Sequence, residues 1–234
     1  MRLSRVSFSL PAIALCALIV STVHAAESVC RGSVARGSLE NGVKLPGQGK
    51  NFTAYSAMWA SIGRTHVHSK VARVVVAAYA RLEETVPDKV FVYGETGWAK
   101  GGQIKPHRTH QNGLSVDFMV PVIDAQGRSV ALPTHAGNKF GYDIEFDAQG
   151  RYQALSIDFE ALAEHLYQLD AEAKRHQVGI AQVILDPPYL PKLFATQRGA
   201  YLRTQLKFMK RKAWVRHDEH YHVDFAVPCK ALAR

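Results

Sequence analysis

Between Val71 and Thr85 the apolar residues Val71, Val74, Val75, Ala78 and Leu82 recur at helical spacing. Ser69 stands ahead of them as an N-cap and Pro87 behind them as a stop, so the pattern predicts a helix. A second stripe, Phe159, Leu162, Leu166 and Leu169, predicts a helix from Asp158 to Gln177. Other stretches alternate with a period of two. "LSVDFMV" (114–120) sets Leu114, Val116 and Phe118 on one strand face and Ser115 and Asp117 on the other. "HYHVDFAV" (220–227) sets Tyr221, Val223 and Phe225 against His220, His222 and Asp224. "KVFVYGE" (89–95) reads as a strand, and "YDIEFDAQG" (142–150) as a strand and turn. "IAQVILD" (180–186) reads as a buried strand stopped by Pro187 and Pro188, and "YLRTQLKFMKR" (201–211) as a short basic helix. "GETGWAKGGQIKPH" (94–107) carries four glycines without periodicity and is a loop, and residues 26–50 form a Gly-rich, polar, extended arm. Strands and helices that do not alternate regularly favour an α+β fold over a doubly wound sheet.

The first 25 residues change the picture of where the chain works. "MRLSR" is a basic start, "FSLPAIALCALIVSTV" an apolar core, and "VHA" a small-residue site for cleavage after Ala25. The apolar run is short for a spanning helix and is interrupted by Pro11, so it reads as a removed export signal rather than an anchor. The remaining 209 residues, 26–234, suffice for one sizeable core and read as a single domain with an N-terminal arm. The whole chain carries +9; without Arg2 and Arg5 the mature part carries +7. That charge suits an anionic polymer, whether nucleic acid, anionic lipid or the carboxylate-bearing cell wall. Loss of the leader removes Cys16 and leaves Cys30 and Cys229, a disulfide candidate in an exported protein that would tie the two ends together.

Asp117 raises the chemical question. A carboxylate inside an apolar strand is costly unless something pairs with it. Among eleven histidines, two lie in "HRTH" (107–110) and three in "HDEHYH" (217–222). His220 and His222 point to one face of the last strand. The Asn112-Gly113 dipeptide permits a reversal that returns His110 to Asp117. If the two strands are neighbours, His110, Asp117 and His222 converge as a three-ligand zinc site whose fourth position is left for water, the arrangement of a catalytic site. His217 and His220 titrate near neutrality and supply a general base or an electrostatic stabiliser. Spacing does not divide those roles, nor does it decide whether His220 is itself a ligand. A second H-x-H, His66 and His68, precedes a helix and reads as surface or capping residues.

At these residues the chain resembles the penicillin-insensitive murein endopeptidases, within the superfamily of lysostaphin, D-Ala-D-Ala peptidases and hedgehog domains. "HRTHQNGLSVD" and "HDEHYHV" meet that family's two long motifs, "GETGWAKGG" resembles the loop before the first, and "NGVKLP" its N-terminal arm. The resemblance implies a small antiparallel sheet that carries the metal and is flanked by helices. It implies zinc on His110, Asp117 and His222, with His107 a further metal-binding or near-metal position. It makes His220 the active-site histidine, assisted by His217. The implied reaction is hydrolysis of peptidoglycan cross-links, chiefly D-Ala to meso-diaminopimelate, in the periplasm. Some relatives have aspartate where Ser115 stands.

Two other readings compete. A D,D-carboxypeptidase or dipeptidase of the same superfamily would need a group to hold a peptide terminus, with Arg108, Arg203 and Arg216 as candidates. A non-catalytic wall-binding module would share the charge and the Trp98 loop but would have no need of His217 and His220. A nucleic-acid partner is disfavoured, because an exported chain rarely meets one, and the mature chain has no transmembrane segment.

Overall fold

The computed structural model describes residues 26–211 and 213–232; the leader and its cleavage site lie outside them. The centre is a five-stranded sheet in the order Gly179–Ile184, His220–Ala226, Ser115–Met119, Phe91–Tyr93, Phe52–Ala54. All neighbours are antiparallel except the last pair, which is parallel. This mixed α+β arrangement is the class expected from the sequence, with one parallel edge strand added.

The alternation in the two central strands decides the layers. Val116, Phe118, Tyr221, Val223 and Phe225 are buried on one face. The helices Ser69–Thr85 and Phe159–Arg175 cover that face, with Tyr79 and His165 edge-on to Phe118 and His165 Nδ1 bonded to the Tyr221 hydroxyl. Each such apolar side chain contributes roughly 1.5–3 kcal/mol on burial, so this face fixes the register and leaves Ser115, Asp117, His220, His222 and Asp224 to the other. In that register His222 lies directly opposite Asp117.

Both predicted helices form, with one change at a cap. His68 caps the first, its Nδ1 accepting from Lys70 N at 3.1 Å. Ser69 is instead the first helical residue; it exchanges two bonds with Ser28, at 3.1 and 2.9 Å, and so docks the N-terminal arm. His68 is therefore a buried cap rather than a surface residue. His66 is half-buried, its Nδ1–H donating to the Gly63 carbonyl at 2.8 Å. The arm is extended as expected and is folded into a hairpin, Val29–Ser33 with Arg36–Glu40.

Three expectations need correction. Residues 142–146 are not a strand: Ile144 and Phe146 are buried between exposed neighbours, but Phe146 N donates to the Asp218 carboxylate, not to a ladder. The alternation there records burial alone. The stretch 180–186, expected as a buried strand, contributes the edge strand Gly179–Ile184, which is half-buried over its first part. The basic helix stops at Gln205. Beyond it, Val183 N donates to the Lys207 carbonyl and Met209 N to the Val183 carbonyl, both at 2.9 Å. The free edge of Gly179–Ile184 offered hydrogen-bonding groups that a solvated helix did not, and Phe208 packs edge-on to Phe194. The segment thereby covers an edge that would otherwise be open to pairing.

Cys30 and Cys229 are joined in a disulfide across 199 residues, as expected. Beside it, Gly32 N donates to Lys230 O and Lys230 N to Cys30 O, both at 2.9 Å. Among the described residues no helix is long and apolar enough to cross a membrane. Closing so long a loop restricts the unfolded chain strongly, so Cys229→Ser should lower stability by about 3–4 kcal/mol. Urea unfolding with and without reductant measures this, and the variant should lose its sensitivity to reductant.

Candidate metal centre

Asp117 sits fully buried at the middle of its strand, and four imidazoles surround it. His222 comes from the opposite position of the neighbouring strand, its Nδ1 2.8 Å from Asp117 Oδ1. His110 comes from the preceding loop, its Nε2 3.2 Å from the same oxygen. His107 Nδ1 and His220 Nε2 stand 3.8 and 3.9 Å from Oδ2. His107, His110 and Asp117 offer ligand atoms that all lie within 4.8 Å of one another. The fourth expected position, His222, joins that group through Asp117.

The loop reaches Asp117 by a different route from a simple hairpin. His110 itself adopts a left-handed backbone, φ 67°, followed by Gly113 at φ 77°. A non-glycine residue there costs on the order of 1 kcal/mol. Gly113 lies where a side chain would collide with His68 N at 2.8 Å, the same N–H that its carbonyl accepts. Residues 111–113 bend the chain, and the left-handed backbone at His110 accompanies the ring's approach to Asp117.

Hydrogen bonding fixes the ring tautomers. His110 Nδ1–H donates to the Thr96 carbonyl at 3.0 Å, so its Nε2 presents a lone pair. That atom is buried and has no hydrogen-bond partner, yet it faces a carboxylate oxygen. Two acceptors held together in a buried site call for a cation between them, and imidazole nitrogens with a carboxylate oxygen are a donor set suited to a divalent transition metal. His222 Nε2 is held by Asp224 Oδ1 at 2.7 Å, and the same oxygen accepts from Ser115 Oγ at 2.6 Å. This carboxylate–imidazole link leaves Nδ1 for the centre. Ser115 thus steadies the carboxylate that orients His222.

A further layer was not visible in the sequence. Tyr142 donates its hydroxyl proton to Asp117 Oδ2 at 3.1 Å and accepts from Glu95 N at 2.8 Å. It fits because residue 94 is glycine: a Cβ there would lie 2.4 Å from that hydroxyl. Glu95 is buried, receives both Arg64 Nε and Nη2 at 2.6 Å and the Tyr55 hydroxyl at 2.7 Å, and holds His107 Nε2 at 2.6 Å. Glu95 is carried there because Gly94 N and Asp117 N exchange bonds with the Asp117 and Glu95 carbonyls. Neither residue belongs to a spacing pattern. Only the acidic residue in a Gly-rich loop hinted at it.

The charges follow from this packing. Burial pushes the Asp117 carboxyl up, but the facing His110 and His220 imidazoles and the hydrogen bond from His222 outweigh it and hold it well below the carboxylate range. Burial also opposes a charged His222, and Asp224 and Asp117 overcome it, raising the ring to about 10 in the absence of a cation. Burial lowers His220 to about 4 and, with the neighbouring His220, lowers His217 to about 3. Both are therefore neutral at pH 7. His220 Nδ1 shares a proton with Glu219 Oε1 at 2.7 Å, and burial raises Glu219 to about 8. His217 Nδ1–H donates to the Val215 carbonyl at 2.9 Å, and its ring lies 4.6 Å from that of His220.

The centre opens into a cleft of about 710 Å³. Tyr55, Trp59 and Phe140 form an aromatic wall, and His217, His220 and Trp214 face it. Arg216 lines the cleft but is engaged with Asp186 and Glu145 at 2.8 and 3.0 Å. Arg203 lies over the Phe194 ring and Arg108 over Trp214; neither is among the residues lining the cleft.

The sequence profile of the family described as penicillin-insensitive murein endopeptidase matches residues 30–233. No curated protein matches the chain. The geometry makes its own forecast for metal. Wild-type protein titrated with Co2+ or Zn2+ should bind tightly, and His110→Ala and Asp117→Ala should lose that binding. Tyr142→Phe removes one bond to the ligand carboxylate and should weaken affinity about 10-fold. Visible absorption of the Co2+ form and calorimetry read both effects.

Proposed function

The chain belongs to the penicillin-insensitive murein endopeptidase family, and from that premise we propose that it is a zinc-dependent endopeptidase that hydrolyses D-Ala to meso-diaminopimelate cross-links of peptidoglycan in the periplasm. On this reading residues 1–25 are the removed export signal and 26–234 one catalytic domain. The observation that carries it is the partnerless lone pair of His110 Nε2, held against a buried Asp117 that His222 also faces.

His110, Asp117 and His222 would hold the zinc, and His107, kept by Glu95 with its Nδ1 towards Asp117, stands beside it. Bound zinc would supply Lewis acidity, polarising a carbonyl and acidifying a water. The protein's own groups supply the proton handling. His220 is neutral at pH 7, and when the proton shared with Glu219 sits on Nδ1, its Nε2 lone pair is directed towards Asp117. It can accept a proton there and return it to a departing amine. Glu219 fixes the ring and offsets the charge that forms on it. His217, also neutral, presents its Nε2 as a second acceptor. Among the described residues no serine or cysteine side chain lines the cleft, which suits chemistry that needs no acylated side chain and is therefore indifferent to penicillin.

Purified mature protein with zinc should convert cross-linked muropeptide dimers to monomers, as read by mass spectrometry, and EDTA should stop it. His222→Ala should abolish both metal and turnover; activity surviving that substitution would sink the assignment. His220→Ala should keep its zinc while turnover falls by about 10²- to 10⁴-fold, the usual worth of a general acid–base group.

A further inference from the structure

Beside the cleft runs a second, more open groove of about 820 Å³. Arg108, Lys207, Lys210 and Arg211 line it, with Phe208 and Trp214, and among the described residues no carboxylate does. All four cations are exposed, and among the described residues none makes an ion pair, unlike Arg64, Arg198 and Arg216. One wall is the Lys207–Met209 segment, held extended against Val183. The groove is continuous with the cleft through Trp214, which lines both. The Trp214 ring lies 5.9 Å from the His217 ring, and Arg108 lies over it at 5.8 Å.

Four cations that line one groove repel one another, and among the described residues no carboxylate pairs with any of them. Such a cluster favours an anion arriving from outside. Its chemistry also separates the two polymers of a cross-linked wall. A neutral sugar chain docks on aromatic faces and uncharged hydrogen-bonding groups, whereas a peptide stem carries free carboxylates at intervals along an extended backbone. We propose that this groove is a binding subsite for the carboxylate-bearing peptide arm that leads away from the scissile bond, with Arg108 and Trp214 at its junction with the cleft. The inference rests on the endopeptidase reading and names the part of that substrate the cations take.

The test uses the triple variant Arg108→Gln, Lys207→Gln, Lys210→Gln and two soluble cross-linked peptide dimers, one with free carboxylates and one with those carboxylates amidated. On the free-carboxylate dimer the variant should raise KM about 10-fold, in the range charged surfaces contribute, with kcat within about 2-fold of wild type. On the amidated dimer variant and wild type should coincide. Equal KM on the free-carboxylate dimer, or an equal penalty from amidation in both proteins, would overturn the subsite. Calorimetry of metal-free protein with an uncross-linked stem peptide separates the two readings. Weaker binding by the variant supports the subsite even where wild type cuts neither dimer, an outcome that would remove the endopeptidase reading alone. A short single-stranded oligonucleotide that binds more tightly than a carboxylate peptide of equal charge would overturn the assignment in favour of nucleic acid.

Discussion

The structure turns on a carboxylate that has been taken out of water. Transferring an ion such as Asp117 to a protein interior costs several kcal/mol even after relaxation, and here it lies at the centre of the sheet's polar face. Tyr142 and His222 bring hydrogen bonds to its two oxygens. His110 brings a lone pair instead of a proton. The surrounding atoms therefore present more acceptors than the local protons can satisfy, and a cation is the species that makes the set consistent. The remaining polar residues act at one remove: Thr96 turns His110, Asp224 and Ser115 turn His222, and Glu95 turns His107.

That face exists because the opposite one is so well determined. Phe118 stacks on Tyr221, and both lie beneath the two helices with Tyr79 and His165. A slip of one residue between the central strands would send Phe118 outward and Asp117 into the helices. Hydrophobic packing on one side thus places His222 opposite Asp117 on the other, with no specific attraction between them required for the registration. The arm adds a second restraint, through Ser28 to the start of the first helix and through Cys30 to Cys229, just beyond the end of the strand that carries His222.

This division explains which parts could be read from the sequence. Residues bound by a period were legible: the stripe from Val71 to Leu82, the alternation around Asp117, and the shared face of His220 and His222. Residues whose position depends on a loop path were not. Glu95 and Tyr142 reach Asp117 only because two loops cross over it, and the glycine that lets them meet, Gly94, carries no spacing signal. Glu219 escapes the alternation because the strand begins one residue later, at His220. The same limit produced the errors. Residues 142–146 alternate because alternate side chains are buried, not because they pair. Residues 206–211 look helical in isolation, yet an open strand edge elsewhere in the fold offers them better hydrogen bonds. At the first helix His68 rather than Ser69 is the cap, and Ser69 instead bonds the arm.

The six residues between His110 and Asp117 have a physical purpose in this light. Both residues come from one stretch of chain, so bringing them together costs little loop entropy; the cost is conformational, a left-handed backbone at His110. His222 lies 105 residues further on and needs no strained turn, because strand pairing already delivers it. A cation that binds all three therefore acts on two different quantities. Across the strands it reinforces a register that packing has set. Within the loop it opposes the strain at His110, since binding to the native arrangement alone stabilises that arrangement by mass action. The loop that carries His107 and His110 is thus the part of the site whose order would depend most on a bound metal, while the sheet beneath it is held by the core.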